Sequence, residues 1–283
     1  DLVHFTMVQQ PVLYNGNVVT TMHDLTTCRF KNPARNPVVF TLKQQVYKWV
    51  NKKAARKSKV IIVPSEFVKN DVTDYARISP EKIMVTYEAA DKITEAAKPV
   101  EVLKNKRFIM YVGRATTHKN LEKLVMAFAE IQKTKPDLYL ALAGKKDSNY
   151  ERIEGAAKDR DIKNLIFTDF ITDSQLKWMY QNCRAYIFPS LSEGFGLPGL
   201  EAMVHGAPVI SSNATCLPEV YGNAAHYFDP SSTRDMVTKI NEVLDNDGLR
   251  QVLIQAGLEQ AKKYSWERMA EQTLAVYKQA LGE

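Results

Sequence analysis

The chain holds 283 residues, enough for one large domain or two ordinary ones. Apolar residues make up 45% and charged residues 25%, with 12 Gly and 12 Pro, which excludes disordered and fibrous classes; no apolar run nears the ~20 residues of a bilayer span. The net charge is +6, and Cys28, Cys183 and Cys216 lie too far apart for a CxxC pair, so neither a zinc site nor a disulfide framework is expected and a reducing compartment fits.

The opening Asp1-Leu2-Val3-His4 lacks the basic and apolar regions of a secretory signal, so a cytoplasmic protein, at most peripheral on the inner membrane face, is expected. Asp1 to Phe5 reads as a strand. Val18 to Met22 and Val60 to Val63 are short β-branched runs with a helical stretch between them. From Leu25 to Ser65 there is no Asp or Glu, whereas Arg29, Lys31, Arg35, Lys43, Lys48, Lys52, Lys53, Arg56, Lys57 and Lys59 all fall there. Such a stretch, concentrated over Val38 to Lys59, suits an anionic lipid surface, a phosphate-rich ligand or simply solvent. Another strand is predicted at Ile83 to Thr86, and a linker after Lys98-Pro99.

The rhythm then restarts. Phe108 to Val112 forms a strand ending at Gly113; a helix over 119–132 carries Leu121, Leu124, Val125, Phe128 and Ile131 at helical spacing. Strands follow at Leu138–Ala143, Leu165–Phe167, Ala185–Phe188, Pro208–Ile210 and Ala225–Phe228, with helices between. A last amphipathic helix runs from an N-cap at Ser265 to Leu281. Continuous apolar strands joined by helices mean α/β architecture with parallel sheets covered on both faces, whose ligands bind at the carboxyl ends of the strands.

The sharpest chemistry lies in Pro189-Ser190-Leu191-Ser192-Glu193-Gly194-Phe195-Gly196-Leu197-Pro198-Gly199-Leu200-Glu201-Ala202-Met203. This segment leaves a buried strand, turns through glycines and opens a helix. Free N–H groups and the helix dipole favour an anion there, while Glu193 and Glu201 supply acceptors for hydroxyls. A sugar nucleotide offers both a diphosphate and hydroxyls. Gly194-x-Gly196-x-x-Gly199 also matches a dinucleotide fingerprint, but several strands precede it, whereas that fingerprint belongs to the first βα unit of its domain. Asp159-Arg160-Asp161 and Asp245-Asn246-Asp247 imitate a metal motif, yet are expected between helices as caps and turns.

The segment resembles the Glu-x7-Glu signature of the retaining glycosyltransferase family 4, spanning Glu193 to Glu201. Tyr111-Val112-Gly113-Arg114, His118-Lys119-Asn120-Leu121, His205-Gly206-Ala207-Pro208-Val209-Ile210 and Leu217-Pro218-Glu219-Val220 are similar to the same family. The resemblance implies a GT-B fold of two Rossmann-like domains. The first, over 1–98, is the acceptor side. The second, over 99–264, binds the donor, and the helix over 265–283 returns to the first. It implies that Arg114 and Lys119 clamp the donor diphosphate, that Glu201 takes the ribose hydroxyls and that Glu193 holds the transferred sugar. Gly113, Gly194, Phe195, Gly196 and Leu197 would line sugar and phosphates; Asp169, Phe170 and Ile171 would sit beside the base. His23, in a His23-Asp24 pair ending a strand, would face the donor sugar. Ser65-Glu66 matches the family's first-domain loop and also reads as a plain N-cap. His118, His205 and His226 read as packing or polar-edge residues. The family's first domain normally opens with a Gly-rich strand-loop and further βα units, so the N-terminal domain is expected to be shortened. Gly199 stands where many relatives carry a bulkier residue or proline.

The function implied is transfer of a hexose, guessed as mannose from GDP-mannose with a UDP-sugar as alternative, to a glycan or lipid-linked acceptor with retention. Alternatives are a non-catalytic nucleotide-sugar module, a partial enzyme needing a partner chain, and a nucleotide-sugar epimerase. No cofactor or metal and no nucleic acid is expected; self-association and contact of 38–59 with anionic membrane are.

Overall fold

The computed structural model of the protein describes residues 1–30 and 37–283, with side chains outside 31–38. Lys31 and Arg35 of the basic stretch, and the side chain of Val38, lie outside the described residues. In chain order come β1 (Leu2–Phe5), β2 (Asn17–Thr21), α1 (Thr26–Arg29), α2 (Pro37–Lys57), β3 (Val60–Val63), α3 (Glu66–Ala76) and β4 (Ile83–Val85). Then follow β5 (Arg107–Val112), α4 (Leu121–Gln132), β6 (Leu138–Ala143), α5 (Ser148–Asp159), β7 (Leu165–Asp169), α6 (Asp173–Asn182) and β8 (Ala185–Phe188). The chain continues through α7 (Leu197–Val204), β9 (Val209–Ser212), α8 (Leu217–Tyr221), β10 (Ala225–Phe228), α9 (Thr233–Leu244), α10 (Asp247–Ala261) and α11 (Trp266–Leu281). Among the described residues no helix is long and apolar enough to cross a membrane.

Two compact units result. One comprises Asp1–Ala89, Glu193–Gly196 and Tyr264–Glu283; the other comprises Ala90–Ser192 and Leu197–Lys263. The first unit is a parallel sheet in the order β1-β2-β3-β4. Side chains alternate across a strand, so the four apolar residues of β3 must be covered twice. Ile61 and Val63 pack with Met22, Val68, Val72 and Ala76 on one face. Val60 and Ile62 pack with Val19, Val276 and Ala280 on the other, so α11 closes that face. The α11 N-cap Ser265 accepts a hydrogen bond from the Arg268 N–H at 3.2 Å, and Lys59 Nζ donates to the Ala280 carbonyl at 3.1 Å near its end.

The second unit is a six-stranded parallel sheet in the order β10-β9-β8-β5-β6-β7. Its first strand, β5, sits in the middle, and the order reverses between β5 and β8. In such doubly wound sheets that switch point opens the ligand crevice at the carboxyl edge. Leu121, Leu124, Val125, Phe128 and Ile131 of α4 are buried, as their spacing requires.

The structure places the division at Ala89/Ala90 rather than after Lys98. Residues 90–98 group with the second unit because its side chains tie them down. Lys177 Nζ donates to the carbonyls of Ile93 (2.9 Å) and Glu95 (2.8 Å). The Ile93 N–H donates to His205 Nε2 (3.1 Å) and the Lys98 N–H to the Ser174 carbonyl (3.0 Å).

Candidate functional site

At the carboxyl end of β5, Gly113 adopts φ +142° and, at the end of β6, Gly144 adopts φ +153°. A Cβ built on Gly144 would lie 2.1 Å from the Gly113 carbonyl oxygen, so the two strand ends approach as only glycine permits. Tyr150 Oη donates to that carbonyl at 2.7 Å and fixes it. Arg114 follows, exposed, its carbonyl accepting from Tyr111 Oη at 3.0 Å. A 3-10 turn over Thr117–Lys119 leads into α4 through Asn120, whose φ is +58°. Asn120 Nδ2 donates to the carbonyls of Pro189 (3.1 Å) and Pro230 (3.0 Å), and the Leu191 N–H donates to the His118 carbonyl (2.7 Å). Lys119 Nζ sits 5.4 Å over the Phe188 ring at the end of β8. Lys119 therefore stands at the switch point, and Arg114 is exposed on the same strand edge, where an anion gains most.

Glu201 lies in α7, with Pro198 at its second position. Burial holds its carboxyl above the usual carboxylate range, helped by Asp173 and Asp91 and opposed by the hydrogen bond from Tyr180 Oη at 3.4 Å. A carboxyl so placed gains from hydroxyl donors. Tyr180 is fully buried, and the His205 ring stacks on it at 5.6 Å. His205 Nδ1 faces the Glu201 carbonyl (2.7 Å) while its Nε2 faces the Ile93 N–H, so the ring is the neutral Nδ1–H tautomer. Burial keeps its pKa below that of an ordinary histidine. A Cβ on Gly199 would lie 2.2 Å from the hydroxyl of Tyr221, which is fully buried. A larger residue here would have to displace that tyrosine ring.

At the end of β7, Asp169 adopts φ +56° and its carboxylate accepts from the Lys146 N–H at 2.8 Å. Phe170 is 79% exposed, a free aromatic face, with Ile171 half-buried beside it. β7 lies two strands from β5, roughly 10 Å at the usual strand spacing, within reach of one nucleotide.

The first unit assembles a second group. His23 follows β2 at the carboxyl edge of its sheet. The Glu193–Gly196 loop packs so closely there that a Cβ on Gly194 would lie 1.9 Å from the His23 carbonyl oxygen. Ser65 Oγ donates to the Gly194 carbonyl (2.7 Å) while accepting from the Val68 N–H (3.2 Å), so it serves the loop and caps α3 at once. Phe195 is buried against Tyr87 and Tyr264, with ring centroids 6.2 and 5.4 Å away, and Gly196 turns the chain at φ +96°. Glu193 is half-buried; Leu197 opens α7 in the other unit. His23 Nδ1 lies 3.0 Å from Glu88 Oε1 and Nε2 lies 3.2 Å from the Thr6 carbonyl. The Glu88 bond lifts the imidazole above an ordinary histidine, against partial burial.

Sequence reasoning missed Glu88, Tyr87, Tyr180 and Tyr264. Tyr87 and Glu88 follow β4 at its carboxyl edge, the signal that could have found them. The glycine fingerprint follows the fourth strand of its sheet, where it does not form the first βα turn. Asp245 ends α9 and Asp247 begins α10, while Asp159 ends α5 and Asp161 lies between that helix and β7, not between two helices. Among the described residues no three His, Cys, Asp or Glu side chains gather in metal-ligating geometry. The α2 helix exposes Val39, Leu42, Val46 and Trp49 along one stripe. Beyond them a cleft of ≈ 710 Å³ is lined by Val12, Leu13, Trp49, Lys52, Lys53 and Arg56.

A family model described as Glycosyl transferases group 1 matches residues 92–260, and one described as Glycosyltransferase Family 4 matches residues 1–92. The chain belongs to the group 1 glycosyltransferases. It is 29% identical to the O-antigen chain mannosyltransferase B of Escherichia coli, over 92% of this chain and 70% of that protein. It is 32% identical to the serotype-specific mannosyltransferase WbdA of Escherichia coli, over 78% of this chain and 29% of that protein. Likewise it is 29% identical to the MMP alpha-(1->4)-mannosyltransferase of Mycolicibacterium hassiacum, over 82% of this chain and 57% of that protein. The chain thus spans less than a third of WbdA and little more than half of the M. hassiacum protein. Among solved structures, sucrose-phosphate synthase from Thermosynechococcus elongatus superposes with a TM-score of 0.79 at 22% identity, covering 99% of this chain and 74% of that one. A glycosyltransferase from Rickettsia africae gives 0.72 at 20% identity, covering 99% and 77%. These likenesses show the GT-B fold, of two Rossmann-like units with parallel sheets.

Proposed function

We propose that this group 1 glycosyltransferase moves a hexose from a nucleoside diphosphate sugar to a hydroxyl of a glycan or lipid-linked acceptor, with retention at the anomeric carbon. The observation that carries the reading is the carboxyl edge around β5, where Gly113 and Gly144 open the ends of β5 and β6 beside Arg114, where Lys119 stands at the β5/β8 switch point, and where Glu201, in the helix after β8, keeps a carboxyl that gains from further hydroxyl donors. In the step, the bond from the anomeric carbon to the diphosphate oxygen breaks and a bond to the acceptor oxygen forms on the same face. The acceptor proton passes to the departing phosphate. Charge grows on the diphosphate as it leaves, and cations fixed beforehand stabilise that charge without reorganising. Arg114 and Lys119 are assigned that role, Glu201 the ribose, Glu193 and His23 the sugar, and Phe170 the base. These assignments need no metal.

Mannose from GDP-mannose is the favoured donor, since the relatives named above are mannosyltransferases. The acceptor is assigned to an anionic membrane face, on which the exposed apolar stripe and cations of α2 would rest. The test is transfer of labelled sugar from GDP-mannose, with UDP-glucose alongside, to a mannose-terminated glycolipid. A glycoside product with retained configuration supports the proposal. Nucleotide binding without transfer from any donor would instead favour a non-catalytic binding module.

A further inference from the structure

His23 has an acceptor on each side of its ring. The Glu88 carboxylate lies 3.0 Å from Nδ1, and the Thr6 carbonyl lies 3.2 Å from Nε2. A neutral imidazole carries one N–H and one lone pair, so it would leave a ring nitrogen lone pair facing an oxygen lone pair. Only the imidazolium, with two N–H groups, satisfies both contacts. His205 supplies the contrast within the same chain: one ring nitrogen faces a carbonyl and the other a backbone N–H, the pattern of a neutral ring.

The surrounding charges agree. Glu88 has a side chain only 12% exposed, so its carboxylate is largely withdrawn from water and gains from a cationic partner. Asp24, next in the chain, adds a second, weaker attraction. The opposing group is His4, on β1. His4 is bound to Tyr277 Oη (2.7 Å) and Thr21 Oγ1 (2.8 Å), and its pKa is lowered, first by burial and then by the charge of His23. Burial thus disfavours a second cation at His4 beside His23.

We propose that Glu88 is a positioning residue that fixes His23 as an imidazolium, so that the group at the end of β2 is a cation rather than a general base. The catalytic consequence rests on the proposed glycosyl transfer; the protonation state does not. An imidazolium cannot accept a proton, so it leaves proton transfer to the departing phosphate. It contributes positive charge instead, since both of its N–H groups are given to Glu88 and the Thr6 carbonyl. Activity then requires the charged ring and falls as pH rises through the His23 titration. A general base would show the reverse, losing activity as pH falls.

The experiment is an imidazole ¹⁵N NMR titration of the wild-type chain without substrate, with His23→Asn to assign the signal, repeated on Glu88→Gln and Glu88→Asp. The wild-type His23 ring should be doubly protonated at pH 7 and should titrate above an ordinary histidine. Glu88→Gln should bring the midpoint down, and Glu88→Asp should return it towards the wild type. In transfer assays Glu88→Gln should lose roughly tenfold more kcat/KM at pH 8 than at pH 6, with its alkaline limb moved to lower pH. A neutral His23 in the wild type at pH 7, or a midpoint unmoved by Glu88→Gln, overturns the inference. Absence of transfer by the wild-type chain overturns the functional reading alone, because the titration is read without substrate.

Discussion

Replacing Gly194 by alanine tests the packing that brings the Glu193–Gly196 loop onto His23. The added Cβ would lie 1.9 Å from the His23 carbonyl oxygen, 3.0 Å from its carbonyl carbon and 3.2 Å from Asp24 Cβ. Ordinary contact begins near 3.4 Å, so loop and strand end must separate by roughly 1–1.5 Å. The nearest neighbour is backbone at the end of a buried strand and cannot swing aside, which places the cost near the upper end of overpacking, about 3 kcal/mol. That corresponds to a fall of roughly 6–12 °C in Tm. The bond from Ser65 Oγ to the Gly194 carbonyl is lost with the displacement. A reacting group moved by ~1 Å costs about a hundredfold in rate, so transfer should fall by that factor. Nucleoside diphosphate affinity should fall less than transfer, because Gly113, Arg114, Lys119 and Glu201 belong to the other unit. Gly155→Ala is the control: nothing lies within 4 Å of its added Cβ in α5, and the substitution should stabilise by about 0.5–1 kcal/mol. Calorimetric melting and an initial-rate assay read both variants. A Gly194→Ala chain that melts and transfers like the wild type refutes the reasoning.

Glu201→Gln should raise stability and weaken the donor. The folded-state pKa of Glu201 is raised, so its ionised form is disfavoured by the fold; the unfolded chain releases that proton at lower pH. Wild-type stability is therefore full below the ordinary carboxylate pKa and declines as pH rises through the raised value, whereas the glutamine variant lacks this decline. At pH 7 the variant should melt about 2–4 °C higher and bind nucleotide roughly tenfold more weakly; a variant that melts lower at pH 7 than at pH 4, relative to the wild type, contradicts the sign. Trp49→Ala with Lys53→Glu should abolish sedimentation with vesicles containing phosphatidylglycerol. Binding by the wild type should fall as salt rises, since each cation near an anionic surface contributes about 1 kcal/mol before screening. Binding indifferent to lipid charge removes the membrane assignment.

Much of the architecture was legible because local signals suffice for it. Val60 to Val63 and Ala185 to Phe188 are continuous apolar runs, and their strands span those residues. Ser265 caps α11 as its position before a helical pattern predicts. The strand order could be inferred only as a class, and the switch point became visible once β5 was seen between β6 and β8. What escaped was set by long-range packing. In sequence the Glu193–Gly196 loop belongs with the strand and helix that flank it, but Gly194 and Phe195 pack with Ser65, Tyr87 and Tyr264, far away in sequence. Glu88 carries no glycine or motif around it, and its role appears only with His23 beside it, 65 residues away. The buried Tyr221 hydroxyl that crowds Gly199 is visible only in three dimensions. His205 reads as a packing or polar-edge residue in sequence; the fold makes it a buried packing residue and adds the partners that sequence could not name, Glu201, Tyr180 and residue 93.

The central claim is that a nucleoside diphosphate sugar binds at the β5/β8 switch point. Isothermal titration of GDP, UDP and GDP-mannose into the wild-type chain and into Lys119→Ala and Arg114→Ala tests it most directly. One nucleoside diphosphate should bind with one-to-one stoichiometry, and each variant should weaken it by at least about tenfold, the loss of one charge-assisted contact. Binding of no nucleoside diphosphate, or equal affinity in all three proteins, would contradict the account.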